Sequence, residues 1–130
     1  MVCPKVLLIE DSPTYAELAT ILLEASGCTV IRASTADLGL QLAREEAPDL
    51  VLMDIHLPGM DGFRAVRSLR EDPRTSGIPA VGLTADRIGT DEERERAREA
   101  GFDAYVTKPI NRSGFHAIVA PFLDPRDEAP

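Results

Sequence analysis

Three carboxylates stand where apolar runs end. Glu10 and Asp11 follow Val6–Ile9, and Asp54 follows Leu50–Met53. Thr84 follows Ile78–Leu83, and Lys108 follows Ala104–Thr107. Short, wholly apolar runs read as parallel strands buried on both faces. In an open parallel sheet, sites form outside the carboxyl ends of the strands, near the point where strand order reverses. The spacings place these groups on one such edge. Asp11 to Asp54 is 43 residues, Asp54 to Thr84 is 30, and Thr84 to Lys108 is 24. Each step is one or two strand–helix units, which returns the chain to the same side.

Crowded carboxylates in a partly desolvated cleft repel one another. Lys108 supplies one compensating charge. A hard divalent ion supplies the rest, and Mg²⁺ suits a site with few carboxylates and room for waters and a phosphoryl group. Such a cleft lets a carboxylate approach a phosphate and receive it by in-line transfer. Asp54, the central acid, is the candidate nucleophile. The Thr84 hydroxyl and the Lys108 ammonium are donors for phosphoryl oxygens.

The elements that must position these residues alternate from end to end. After the first strand, Ser12-Pro13 reads as an N-cap and first helical residue, and Tyr15, Leu18, Ala19 and Leu22 mark one helical face that Gly27 ends. Thr29–Ala33 is a more polar strand and belongs at an edge. Ser34 or Thr35 caps a helix to about Glu46, stopped by Pro48. The third strand leads into the turn-rich loop Leu57-Pro58-Gly59-Met60-Asp61-Gly62 and a helix from about Gly62 to Glu71. Ile78–Leu83 is the fourth strand, with Pro79 tolerable only near its start. A charged helix spans about Gly89 to Ala100, and the last one runs from Asn111 to about Leu123, with Pro121 a point at which to bend or end early. Five strand–helix units in a row predict an α/β, doubly wound parallel sheet with right-handed crossovers. One domain over residues 1–123 and a short polar tail over 124–130 account for the chain.

Its bulk properties narrow the partners. The chain has 130 residues, of which 44% are hydrophobic, and a net charge of −8. That surface repels a phosphate backbone, so direct nucleic-acid binding is not expected. No apolar stretch is long enough for a membrane span, and the N-terminus lacks the pattern of a secretory signal, so a cytoplasmic address is the default. Cys3 and Cys28 are too few for a zinc cluster and read as small apolar residues.

Taken together, Glu10-Asp11, Asp54 with Leu57-Pro58-Gly59-Met60-Asp61-Gly62, Thr84-Ala85 and Lys108-Pro109 resemble the receiver domains of two-component response regulators. The likeness covers about Lys5 to Leu123 and is closest to single-domain receivers of the chemotaxis and cell-cycle type. It implies a flavodoxin-like five-stranded parallel sheet in the order 2-1-3-4-5 with five helices. It implies that Asp54 accepts phosphate from a histidine kinase or phosphotransfer protein, and that the protein is not an enzyme in its own right. Mg²⁺ would be held by Asp11 and Asp54, by Glu10 mainly through water, and by the backbone carbonyl of His56. Thr84 and Lys108 would hold the phosphoryl group, with the Lys108–Pro109 peptide cis. Thr84 and Tyr105 would switch together, changing binding of a downstream protein target, or of a second copy as a homodimer, through the face of the fourth helix, fifth strand and fifth helix.

His56 and Asp86 are individual to this chain. They flank the expected path of hydrolytic water, and a His56–Asp86 pair would narrow it. The bland readings are a solvated helix start for Glu10-Asp11, a packed aromatic for Tyr105 and a solvated face for the charged run Asp91 to Glu99.

Rival functions fit less well. A phosphohydrolase with an aspartyl nucleophile wants a second acid two residues on, where His56 stands. A nucleotide-binding fold wants a glycine-rich loop after the first strand, where Glu10-Asp11-Ser12-Pro13 stands. A receiver-like module that never takes phosphate would not need the whole set of acids, Thr84 and Lys108. Met1 and the immediate first strand favour a stand-alone receiver or relay shuttle; the alternative is a receiver excised from a larger hybrid kinase or multidomain regulator.

Overall fold

The computed structural model describes residues 4–57, 62–84, 91–107 and 110–123. Cys3, the residues Pro58 to Asp61, Asp86, Lys108, the Lys108–Pro109 peptide and the tail from 124 onward lie outside the described residues.

Five strands and five helices alternate: β1 (Lys5–Ile9), α1 (Pro13–Ala25), β2 (Thr29–Ala33), α2 (Ala36–Glu46), β3 (Leu50–Asp54), α3 (Gly62–Glu71), β4 (Ala80–Thr84), α4 (Asp91–Ala100), β5 (Ala104–Thr107) and α5 (Arg112–Leu123). All neighbouring strands pair in parallel, in the order β2-β1-β3-β4-β5. This is the flavodoxin-like sheet that the resemblance implied. The central strands β3 and β4 are buried throughout. The polar β2 lies at the edge, where Thr29 and Arg32 reach solvent. Strand side chains alternate between two cores. Leu7, Ile9, Val51 and Met53 pack beneath α2 and α3, while Val6, Leu8, Leu50 and Leu52 pack beneath α1 and α5. Cys28 is buried in the second core.

Local signals are met with small shifts. Ser12 caps α1 and Thr35 caps α2, each accepting a backbone N–H from the first turn. Gly27 has φ 88, the left-handed geometry that suits glycine. The C-cap of α2 is Ala47 at φ 46, a left-handed position held by a residue with a Cβ. Strand β4 begins at Ala80 rather than Ile78. Pro79 has no N–H to donate, and the Ile78 amide turns back to the Thr75 carbonyl at 3.1 Å. Helix α5 carries Pro121 inside it and continues to Leu123. Only two residues follow the proline, so little of the helical ladder is lost.

A clamp at the opposite edge of the sheet from Asp54 was not legible in the sequence. The Arg70 guanidinium on α3 donates to the carbonyls of Gly101 (3.0 and 2.7 Å), Ser76 (3.0 Å) and Ile78 (2.6 Å), and to Asp103 Oδ2 (2.9 Å). Asp103 Oδ2 also accepts from the Ala80 amide at 2.9 Å. One planar fork thereby ties α3 to the segments that start β4 and β5. Arg70→Met should cost about 2–3 kcal/mol, because it strands several partners at once. Arg70→Lys should recover less than half of that, since an ammonium cannot fill the fork. Urea unfolding midpoints check both.

Candidate functional site

Register brings the acids together. Ile9 pairs with Met53 and Leu83 pairs with Asp54. Glu10, the next residue after β1, therefore stands level with Asp54, and Thr84 stands one step beyond it on the other side. Glu10 and Asp54 are buried and Asp11 is exposed. Carboxylate oxygens of all three lie within 4.8 Å of one another. At that range like charges cost roughly 1–4 kcal/mol per pair between water and a partly screened site. Folding accepts this cost because the sheet holds the backbones and each buried acid has local donors.

Glu10 is fixed at both ends. Its amide donates to Ala33 O at 3.0 Å, and its Oε2 accepts the Ser12 amide at 3.1 Å. The same Ser12 caps α1, so one residue orients the buried acid and starts the helix. Asp54 Oδ1 accepts the His56 amide at 2.9 Å, which sets the rotation of the carboxylate. Behind Asp54, the Ile55 amide donates to Leu83 O at 2.8 Å and the Ile55 carbonyl accepts the Gly62 amide at 2.6 Å. Gly62 opens α3 directly against this backbone. A Cβ there would lie 2.5 Å from Ile55 Cα and 2.9 Å from Asp54 O. Asp54 is therefore wedged between β4 and the first turn of α3.

Most of the expected site residues converge. Glu10, Asp11 and Asp54 form one cluster, and Thr84 is buried at the adjacent strand end, in register with Thr107. His56 follows on the loop with its side chain exposed. Tyr105, on β5, pairs with Gly82 of β4 and is half-buried against the core that contains Phe102. The packing roles of two residues went unnoticed in the sequence. Gly62 carries a signal that was available, a glycine at the helix start beside an aspartate, but its packing role depends on how α3 docks. Arg96 lies over the Phe63 ring at 5.0 Å, a contact between α4 and α3 that no spacing rule supplies.

Three hard oxygen donors converging with one side open to water suit a hard divalent cation that keeps some of its own waters. No described helix is long and apolar enough to cross a membrane.

Comparison with known proteins agrees with this geometry. The response regulator receiver domain family matches residues 6–120. Protein PilH of Pseudomonas aeruginosa is 41% identical over 110 residues, covering 82% of this chain and 87% of PilH. The polar-differentiation response regulator DivK of Brucella ovis is 38% identical over 118 residues, covering 91% of this chain and 94% of DivK. The receiver domain of sensor histidine kinase PA1611 from Pseudomonas aeruginosa, solved with magnesium coordinated in its active-site cleft, superposes with a TM-score of 0.79 at 28% identity, covering 89% of this chain and 93% of that one. An acidic triad at the carboxyl edge of a 2-1-3-4-5 sheet, with a family match over nearly the whole chain, makes this protein a member of the response regulator receiver domain family, a phosphoaccepting partner in two-component signalling rather than an enzyme.

Proposed function

We propose that Asp54 is the phosphoacceptor and that Glu10, Asp11 and Asp54, with the backbone carbonyl of His56, hold Mg²⁺ beside it. The observation that carries this reading is the meeting of three carboxylates within 4.8 Å, with Asp54 wedged at the centre. The ion supplies positive charge against which a carboxylate and a phosphate can approach. This chain's residues do the remainder. The His56 amide keeps the Asp54 carboxylate turned to the cleft, and the wedge behind it holds that orientation. Thr84 and Lys108 donate to the phosphoryl oxygens.

The phosphoryl donor is a phosphohistidine on a histidine kinase or phosphotransfer protein. Thr84 follows the phosphoryl group, and Tyr105 turns further into the core where it already packs. The face of α4, β5 and α5 then changes its affinity for a downstream protein, or for a second copy of the chain. The receiver unit spans 1–123, ahead of the polar sequence 124–130, and the protein works in the cytoplasm as a stand-alone receiver or relay shuttle, a reading supported by its match to 87% of PilH and 94% of DivK.

Incubation with acetyl phosphate and Mg²⁺, followed by intact mass, tests this. One phosphoryl group should be gained, peptide mapping should place it on Asp54, and excess EDTA should lower the labelling rate at least about 100-fold, the loss expected when transition-state charge goes uncompensated. Labelling that proceeds equally in EDTA, or that maps elsewhere, overturns the assignment.

A further inference from the structure

We propose that Arg96 is a positioning residue for phosphoryl transfer. Seated on Phe63, it holds α4 in its present place and so opposes any shift of that helix that accompanies charging of Asp54. The proposal deepens the reading above and rests on it, both for Asp54 as acceptor and for α4 as part of the face that responds.

A short chain of contacts joins the two places. Gly62 is bound to the backbone behind Asp54 by its 2.6 Å hydrogen bond to Ile55 O, and there is no room for a side chain between them. Phe63 is the next residue, so its ring is registered to that backbone. Its ring meets Phe102 edge-on, with centroids 6.3 Å apart at 78°, just ahead of the strand that bears Tyr105. The Arg96 guanidinium lies 5.0 Å from the Phe63 centroid, within the range of a cation–π contact.

Among the described residues, few other side chains anchor α4. Among its described side chains Glu95, Arg96, Arg98 and Glu99 are exposed and only Ala100 is buried. The Glu95–Arg98 ion pair lies within the helix and ties it to nothing else. A helix so polar is an element of low local stability, and a contact with a neighbouring helix counts for more there. Phe63 belongs to α3 and follows the Gly62 that is bound to the backbone behind Asp54. A shift of α4 by a few ångströms therefore lifts the guanidinium off the ring. A contact made in only one of two states biases the equilibrium by its own free energy, and by linkage phosphorylation and the contact oppose one another.

Calorimetric titration with beryllofluoride, a phosphoryl mimic, in saturating Mg²⁺ reads this bias. Arg96→Gln should bind about two- to fivefold more tightly than wild type, the factor expected for an exposed cation–π contact. Arg96→Lys, which keeps a cation, should fall between the two. In a Phe63→Leu background, Arg96→Gln should change nothing further, since the ring it acts through is gone. Thermal unfolding of each variant separates the bias from a general loss of stability, which would lower the midpoint without tightening the mimic. Wild-type protein that binds no beryllofluoride overturns the acceptor reading, and the proposal with it. Wild-type binding with unchanged affinity in Arg96→Gln overturns the proposal alone, as does the same tightening with Leu at 63.

Discussion

Asp54→Asn should abolish labelling by acetyl phosphate and, in the absence of divalent ions, make the protein more stable. The two effects have one cause. Asp54 sits within 4.8 Å of two other carboxylates, and it is buried. Asparagine keeps the shape and a carbonyl oxygen for the His56 amide, now 2.9 Å from Oδ1, but removes one like charge from the cluster. The stability gain should be about 1 kcal/mol, near the lower limit for like charges at this spacing, because solvent still reaches Asp11. It should shrink as Mg²⁺ is added, because the wild type gains more from the ion than the variant does. Labelling should fall by more than about 1,000-fold, since no oxyanion remains to attack. Urea unfolding with and without Mg²⁺, beside intact mass, checks both. A variant that is less stable without metal would show that the carboxylate contributes more through its hydrogen bonds than it costs in repulsion.

Gly62→Ala should be the most damaging single-methyl change near the site. Its Cβ would be placed 2.5 Å from Ile55 Cα, a backbone atom with no rotamer to escape into. Either α3 moves away or the Asp54–Ile55 peptide does. Overpacking of this kind costs about 1–3 kcal/mol. Displacement of the acceptor by part of an ångström should lower the labelling rate by about 10- to 100-fold, because in-line transfer depends on position. Gly77→Ala is the control: nothing lies within 4 Å of a Cβ there, and both labelling and stability should stay close to wild type. Thermal unfolding and labelling rates measured on the two variants side by side give the comparison. Equal behaviour of both would mean that the wedge behind Asp54 yields without cost.

Much of this protein was present in the one-dimensional order of its residues. The wholly apolar runs Val6–Ile9 and Leu50–Met53 read as parallel strands buried on both faces and the polar Thr29–Ala33 as an edge, and the sheet places them so. Glu10, Asp11, Asp54 and Thr84 were identifiable because the chemistry follows strand ends, and strand ends follow from a period of about one strand–helix unit. Local caps such as Ser12 and Thr35 were legible for the same reason: their physics spans three residues. What tertiary structure alone decided lies between elements distant in sequence. Arg70 reaches Gly101 and Asp103 across 31 and 33 residues, and a sequence shows an arginine without showing the carbonyls that surround it. The start of β4 depended on where Asp103 offers an acceptor to the Ala80 amide. Gly62 read as the end of a turn and the start of a helix and proved to be a contact surface as well, and Arg96 looked like one charge among many until α4 was laid beside Phe63. Periodicity fixes which face of an element is buried, because burial of apolar area has no direction. Pairing across elements needs angles and distances within a few tenths of an ångström, and only the packed chain supplies those.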